Sequence, residues 1–452
     1  MFRNRNNFRI DHTLFLPSSH PVYTRRTSVQ NQHTVKNDFL EKFPIYNICI
    51  TFRNDFLIHL DQLGISHRIQ MFAASRTALR VASCLLLAFS AVVCRAETGV
   101  TGSRILLGQS AAFSGPAAQL GIDLNAGARL YFDNVNQQGG IHGRKIEIIT
   151  ADDKYEPELT VENTRRLIQG EQVFALFGYV GTPTSNAALP LFTAAKVPFF
   201  APFTGARSLR EPFNRQIFHI RAGYIEETEH LVDQLVRVGV RNIAAFYQND
   251  AYGQAGLDGV QRALTKRGMT MVDSAPVERN TRNVAPAAQK LLAKRPDAII
   301  QVSTYAASAA LVKQMRAAGY TGQFHNVSFV GSQPLASALG ADGQGVGVSQ
   351  VVPFPWKPSN PVVAEYTRDL KKAGKGEPNF SSLEGYIAAK VFTEGLRRAG
   401  PELTRERFIA ALETITLKNY DIGFPVEFSP TRHTGSAFVD MTVITKNEKF
   451  LN

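Results

Sequence analysis

The chain has 452 residues, 44% of them hydrophobic and 19% charged, enough apolar content for two or three domains with cores of their own. Its formal charge of +12 is uneven: residues 1–96 carry 12 Lys/Arg against 5 Asp/Glu, and the remainder 38 against 33. With signs interspersed over that larger part and no basic stripe interleaved with aromatic residues, nucleic acid is not an expected partner. All three cysteines, Cys49, Cys84 and Cys94, precede residue 97, so nothing after them can form a disulfide or a thiolate metal site.

Residues 1–70 mix Asn, His, Arg and Phe without a sustained period and read as a disordered upstream extension, foreign to the exported protein. The text changes at Met71. Arg76 and Arg80 supply a positive start, Val81 to Val93 an apolar run, and Ala96 a small-residue end. This is the pattern of a secretory signal peptide over 71–96. The run is shorter than the roughly 20 residues that span a bilayer. Cleavage near Ala96 would release a periplasmic protein starting near Glu97. Lipidation at Cys94 is the alternative, and it is disfavoured by the bulk of Val93.

From Arg104 short β-rich runs alternate with helical patterns. Strands are expected at 104–108, 145–151, 173–178, 197–201, 216–221, 242–247, 270–275, 298–302 and 325–330. Helices are expected at about 121–138, 157–169, from 182, 226–238, 253–267, 284–293 and 306–318. Such alternation implies an α/β fold of parallel sheets with helices on both faces, and the number of units implies two sheets. The glycines between Gly340 and Gly347 read as a loop, because no helix opens directly after them. Helices return at 360–372, 381–398 and 404–413, and strand-like runs close the chain at 425–428 and 438–445.

The stretch Val173 to Ala206 organises the rest. Its two strands are joined by one helix, so they are expected to be parallel, with both following loops at the same sheet edge. Open α/β sheets bind ligands at that edge. Thr182-Pro183 reads as a helix start with a hydroxyl N-cap, and Thr184 and Ser185 add hydroxyls to the first turn. A helix start of this kind can hold an anion. It can equally be a helix that caps itself with Thr182.

No Gly-x-Ser-x-Gly elbow, Walker loop or His-Glu-x-x-His occurs after residue 96. The histidines are scattered singly, and Asp152-Asp153 reads as a solvated turn cap in preference to a cation site. No catalytic residues, metal or cofactor are expected.

Several segments together resemble the periplasmic solute-binding proteins of branched-chain amino-acid-type ABC transporters. They are Ser114-Gly115-Pro116, Gly139 to Arg144, Asp152-Asp153, Gly178 to Ala206, Asn249 to Gly253 and Ser382 to Tyr386. The resemblance implies two Rossmann-like lobes joined by three crossovers, of type I, with ligand held between them. Lobe one would be about 103–222 plus 353–425, and lobe two about 223–352 plus 426–452. The protein would be a monomer that closes on a small carboxylate-bearing ligand and delivers it to a membrane permease; a sensory module of the same fold is the alternative. The ligand-binding residues implied are Thr182, Phe203, Thr204, Gly205, Tyr224, Glu226, Tyr252, Tyr305 and Ser328. Two departures stand out: Leu120 replaces a tyrosine of the family, and Ser328 replaces the glutamate that meets the ligand's ammonium. An ammonium left without a partner is expensive to bury, so these departures imply an acid lacking an α-ammonium.

Overall fold

The computed structural model describes residues 97–452; the expected leader and upstream segment lie outside the described residues. The first sheet is five-stranded and wholly parallel. Its strands are β1 (Arg104–Ala111), β2 (Lys145–Asp152), β3 (Ala175–Phe177), β4 (Phe199–Phe200) and β5 (Ile217–Phe218), in the order β2-β1-β3-β4-β5. Its helices are α1 (Ala118–Gln137), α2 (Pro157–Arg165) and α3 (Thr182–Ala194). The chain then crosses to a second sheet through residues 219–223.

That sheet contains β6 (Ile243–Gln248), β7 (Ser274–Val277), β8 (Ala298–Val302), β9 (Gln323–Asn326) and β10 (Gly347–Gln350) as a parallel core. Between them run α4 (Tyr224–Arg237), α5 (Ala251–Thr265), α6 (Ala285–Lys294), α7 (Tyr305–Ala317) and α8 (Ser332–Leu339). A second crossover leads to α9 (Pro361–Ala373), α10 (Phe380–Ala399) and α11 (Arg405–Leu412), which cover the first sheet. There Phe392 meets Phe177 at 5.8 Å, Phe200 at 5.2 Å and Phe408 at 4.7 Å. A third crossover brings β11 (Asp440–Ile444) and β12 (Phe450–Leu451) antiparallel onto the edge of the second sheet.

Both parallel cores share one topology. Relative to its own chain order each runs 2-1-3-4-5, β2-β1-β3-β4-β5 in one and β7-β6-β8-β9-β10 in the other. Each therefore has a switch point, at β1/β3 and at β6/β8, where loops diverge to opposite faces and leave a crevice. The near-continuous burial of β1, β3, β6 and β8 is the signature of strands covered on both faces.

Three expectations are corrected. The chain returns to the second sheet later than residue 426, because Thr434 bridges His219 and the rings of Phe428 and His433 pack on Phe218 at 5.2 and 3.7 Å. The glycine-rich loop holds a short helical turn at Gly340–Gly343 and leads into β10 at Gly347, and α8 precedes it. The run at 425–428 forms no strand.

Candidate functional site

The loops after β3 and β4 leave the sheet side by side. The Phe203 N–H donates to the Tyr179 carbonyl at 2.7 Å and the Gly181 N–H to the Phe203 carbonyl at 3.2 Å. This pairing sets the hydroxyls of Thr182 and Thr204 2.6 Å apart. The Thr204 hydroxyl donates to the Tyr224 hydroxyl at 3.3 Å and accepts from the Ala206 N–H at 3.2 Å. Thr182 does not cap its own helix. Gly181 occupies the cap position at φ 102°, with no side-chain cap bond, and Thr182 begins the helix. A Cβ on Gly181 would lie 2.2 Å from the Tyr155 ring, so only glycine admits that ring against the helix start. Gly205 is equally constrained: a Cβ there would lie 2.6 Å from the Tyr224 ring. Thr184 returns its hydroxyl to the Val180 carbonyl at 2.5 Å, whereas the buried Ser185 hydroxyl has no partner. Two threonine hydroxyls at the positive end of α3 form a donor set suited to a carboxylate.

The second lobe faces these hydroxyls with aromatic rings. Asp250 caps α5 by accepting from the Tyr252 N–H at 2.9 Å, which fixes Tyr252 at the helix start. The Tyr252 ring lies 4.5 Å from Phe329 and 5.4 Å from Tyr224. Phe329 in turn meets Phe203 at 5.6 Å and Tyr155 at 6.0 Å. Each of these five rings exposes 1% or less, so the lobes are closed on one another. Burial pushes the Tyr155 and Tyr252 hydroxyls well above their ordinary range and Tyr224 to about 12. All three are neutral donors at physiological pH.

The hinge side of the same cleft is charged. Arg221, 1% exposed, stacks its guanidinium 4.4 Å from the Phe203 ring centroid, and its Nη2 donates to the Ser328 hydroxyl. Its Nε lies 3.4 Å from Glu384 Oε1, close enough for a charge pair but not aligned as a hydrogen bond. Glu227 Oε2 accepts from the Ser328 N–H at 2.8 Å and from the Ser349 hydroxyl at 2.6 Å. Burial raises the Glu384 carboxyl to about 7, with Arg221 pulling it down and Glu227 pushing it up. Burial also works against the Arg221 charge, yet Glu384 and Glu227 together hold its pKa above the ordinary value. Arg210 ties the two first-lobe segments together, donating to the carbonyls of Ala206 at 3.0 Å and Arg221 at 3.1 Å.

A clasp crosses the rim. Arg279 donates to Glu156 at 2.8 Å and Asn280 to the other oxygen of Glu156 at 2.7 Å; Asn280 also reaches the Lys154 carbonyl at 3.1 Å. Below it Gln248 donates to the Tyr155 hydroxyl at 3.3 Å. A cavity of about 650 Å³ lined by Phe354, Trp356 and Phe450 contains none of the residues expected at the site.

Of the expected site residues, Thr182, Phe203, Thr204, Gly205, Tyr224, Tyr252 and Ser328 converge at this closed junction. Tyr305 starts α7, half-buried, with its hydroxyl against the backbone of Gln119 on the other lobe. Glu226 does not join them. It is exposed on the first turn of α4, and the next residue, Glu227, is the buried one. Asp152 serves as a turn cap, accepting from the Phe113 and Ser114 N–H groups at 2.9 and 3.3 Å. Asp153, expected to be solvated, is buried against Ser110 and Thr160 because β2 ends inside the lobe. Tyr155, Arg221, Glu227 and Phe329 were not legible as site residues. Tyr155 and Phe329 had a signal, since they follow the carboxyl ends of β2 and β9, where ligand loops leave the sheet.

Comparison with known proteins agrees with this fold. The family described as "Periplasmic binding protein" matches residues 105–449. A substrate-binding periplasmic protein from Ralstonia solanacearum is 36% identical, with a TM-score of 0.72 over 77% of this chain and 99% of that one. A possible leucine/isoleucine/valine-binding protein from Rhodopirellula baltica is 33% identical, with a TM-score of 0.74 over 78% and 98%. A Leu/Ile/Val-binding protein homologue from Brucella abortus is 24% identical over 334 residues, 69% of this chain and 82% of the relative. Members of this family are extracytoplasmic, non-enzymatic ligand-binding proteins that work with ABC transporter permeases, and no helix among the described residues is long and apolar enough to cross a membrane. The chain is therefore a type I periplasmic binding protein of the family that contains the branched-chain amino-acid-binding proteins.

Proposed function

We propose that this protein is the receptor of an ABC importer, exported to the periplasm, which encloses a small carboxylate-bearing ligand between its lobes and presents it to a permease. The observation that carries this reading is the Thr182–Thr204 hydroxyl pair, 2.6 Å apart at the start of α3 and roofed by rings of the opposite lobe. A carboxylate between those hydroxyls would replace their mutual hydrogen bond with two charge-assisted ones. The rings would enclose the apolar body of the ligand, as the names of the relatives from Rhodopirellula baltica and Brucella abortus suggest for theirs. The test uses Thr182→Val, which keeps the shape and removes one donor. A hydrogen bond to a charged group contributes about 1.5–3 kcal/mol, so affinity falls about tenfold or more. Native mass spectrometry of protein purified without denaturation should show one small-molecule adduct that Thr182→Val fails to retain. An adduct retained equally by both proteins would exclude this hydroxyl from the site.

A further inference from the structure

The cavity of about 650 Å³ beside the second crossover takes no part in the cleft, yet its lining has the chemistry of a binding site. Trp356, the single tryptophan of the chain, borders it and is 37% exposed, although three rings hold it in place. Its ring stacks on Phe450 at 5.5 Å and 17°, meets Phe380 edge-on at 5.7 Å and lies 5.1 Å from Phe354. An indole fixed in this way offers a flat apolar platform at little cost in conformational freedom. The polar groups around it come from both lobes: Gln333 from the first turn of α8, Asn379 from the cap of α10, and Asn447 from the turn before β12. Asn379 accepts the Ser382 N–H at 2.8 Å through Oδ1, which leaves its amide donors for a ligand. Gln333, Asn447 and the carboxylates Glu377 and Glu448 have no side-chain partner among the described residues. The charges are mixed. Glu377 and Glu448 are set against Lys449, and Lys357 and Lys446 adjoin lining residues, so neither an anion nor a cation is selected.

We propose that this cavity is a second binding site, which takes a neutral saccharide with one pyranose face on Trp356 and its hydroxyls paired with the surrounding amides and carboxylates. A pyranose ring carries C–H groups on its faces and hydroxyls around its edge, so it matches an apolar platform bordered by polar groups. Planar carboxamides and carboxylates each offer two polar atoms side by side, the spacing at which neighbouring hydroxyls can be met together. A wholly apolar ligand would strip water from these groups and leave them unpaired, which is costly. The cavity lies within the roughly 300–1,000 Å³ typical of small-molecule sites. None of the cleft residues takes part, so this site is independent of the receptor reading above.

Because Trp356 is the sole tryptophan, its emission reports this cavity alone. The intact chain is titrated with glucose, galactose, mannose, N-acetylglucosamine, maltose and cellobiose. At least one should change the emission saturably, with a Kd of about 1 mM or tighter by calorimetry. Choline, hexanoate and cyclohexanol (a cation, an anion and a neutral apolar ring) should bind about tenfold more weakly or not at all. Trp356→Leu removes the platform and should weaken the sugar by about tenfold or more in calorimetry. Glu377→Ala, on an exposed loop, should weaken it several-fold and guards against a folding defect in the first variant. Both variants should keep the small-molecule adduct of the cleft. A panel in which no sugar binds overturns the proposal, as does a charged or apolar probe that binds as tightly as the best sugar. So does a sugar affinity that survives both variants. A sugar that Thr182→Val weakens and Trp356→Leu does not is bound in the cleft, which overturns this site and leaves the receptor reading in place.

Discussion

The two lobes share a strand order and differ in what their switch points carry. At β1/β3 the first lobe presents hydroxyls, Thr182 and Thr204, which are satisfied by each other and by Tyr224. At β6/β8 the second lobe presents Tyr252, whose ring packs on Phe329 and whose hydroxyl lies 3.5 Å from the Ser303 carbonyl. The scaffold is repeated while the chemistry resides in the loops, as expected where function is grafted onto a common fold. The contrast sharpens toward the hinge. There the second lobe gives Glu227, Ser328 and Ser349, and the first gives Arg221, Phe203 and Glu384. At the neutral end the Ser185 hydroxyl lacks a partner, and at the charged end two nitrogens of Arg221 and Oε1 of Glu227 do.

The largest expected effect that probes this contrast is pH-dependent. Glu384 ionises at about 7 in the folded protein against an ordinary value of 4.5. The folded state thus binds this proton more tightly than the unfolded state. Its contribution to stability is greatest below about pH 4.5, declines as pH rises toward 7, and is lost above that. Glu384→Gln cannot ionise and escapes the decline. Denaturant unfolding of both proteins should move their stability difference toward the variant by about 2–3 kcal/mol between pH 5 and pH 8. A stability difference that stays unchanged between those pH values would mean that Arg221 keeps Glu384 ionised throughout.

A smaller effect belongs to the rim, where the contacts are partly exposed: Arg279 is 23% and Glu156 38% exposed at the side chain. Pairs of this kind contribute roughly 0.2–1 kcal/mol. A double-mutant cycle of Glu156→Gln and Arg279→Met, read by unfolding, should return a coupling energy in that range. A coupling near zero would show that the clasp follows closure without stabilising it.

Much of the architecture was legible because buried β-rich runs and amphipathic helices alternate at readable spacing. The misses have local causes. Helix α8 is only eight residues long and carries a proline, and β10 opens on Gly347 directly after a glycine-rich turn. The site divided in the same way. Thr182, Phe203, Thr204 and Tyr252 follow strand ends, and topology alone assigns those positions to a ligand edge. Arg221 lies in a crossover, where a single arginine is indistinguishable from a solvated one. Glu226 and Glu227 are neighbours on one helix turn, and about 100° of rotation separates the exposed carboxylate from the buried one. Only packing of α4 against the loop after β9 decides between them. Thr182 looked like a cap because the run Gly-Thr-Pro fits that pattern, but the strand pairing that draws Phe203 beside Tyr179 turns its hydroxyl to Thr204.

The central claim is that ligand is held between two lobes that close on it, and the overall dimension of the molecule in solution tests it most directly. Small-angle scattering should be recorded on protein purified without denaturation and on the same protein unfolded, dialysed and refolded to remove bound ligand. If both sides of the site act together, the first sample has the smaller radius of gyration, and adding back the small molecule released on unfolding restores that value in the second. An identical radius in both samples, with binding demonstrated, would contradict closure around ligand.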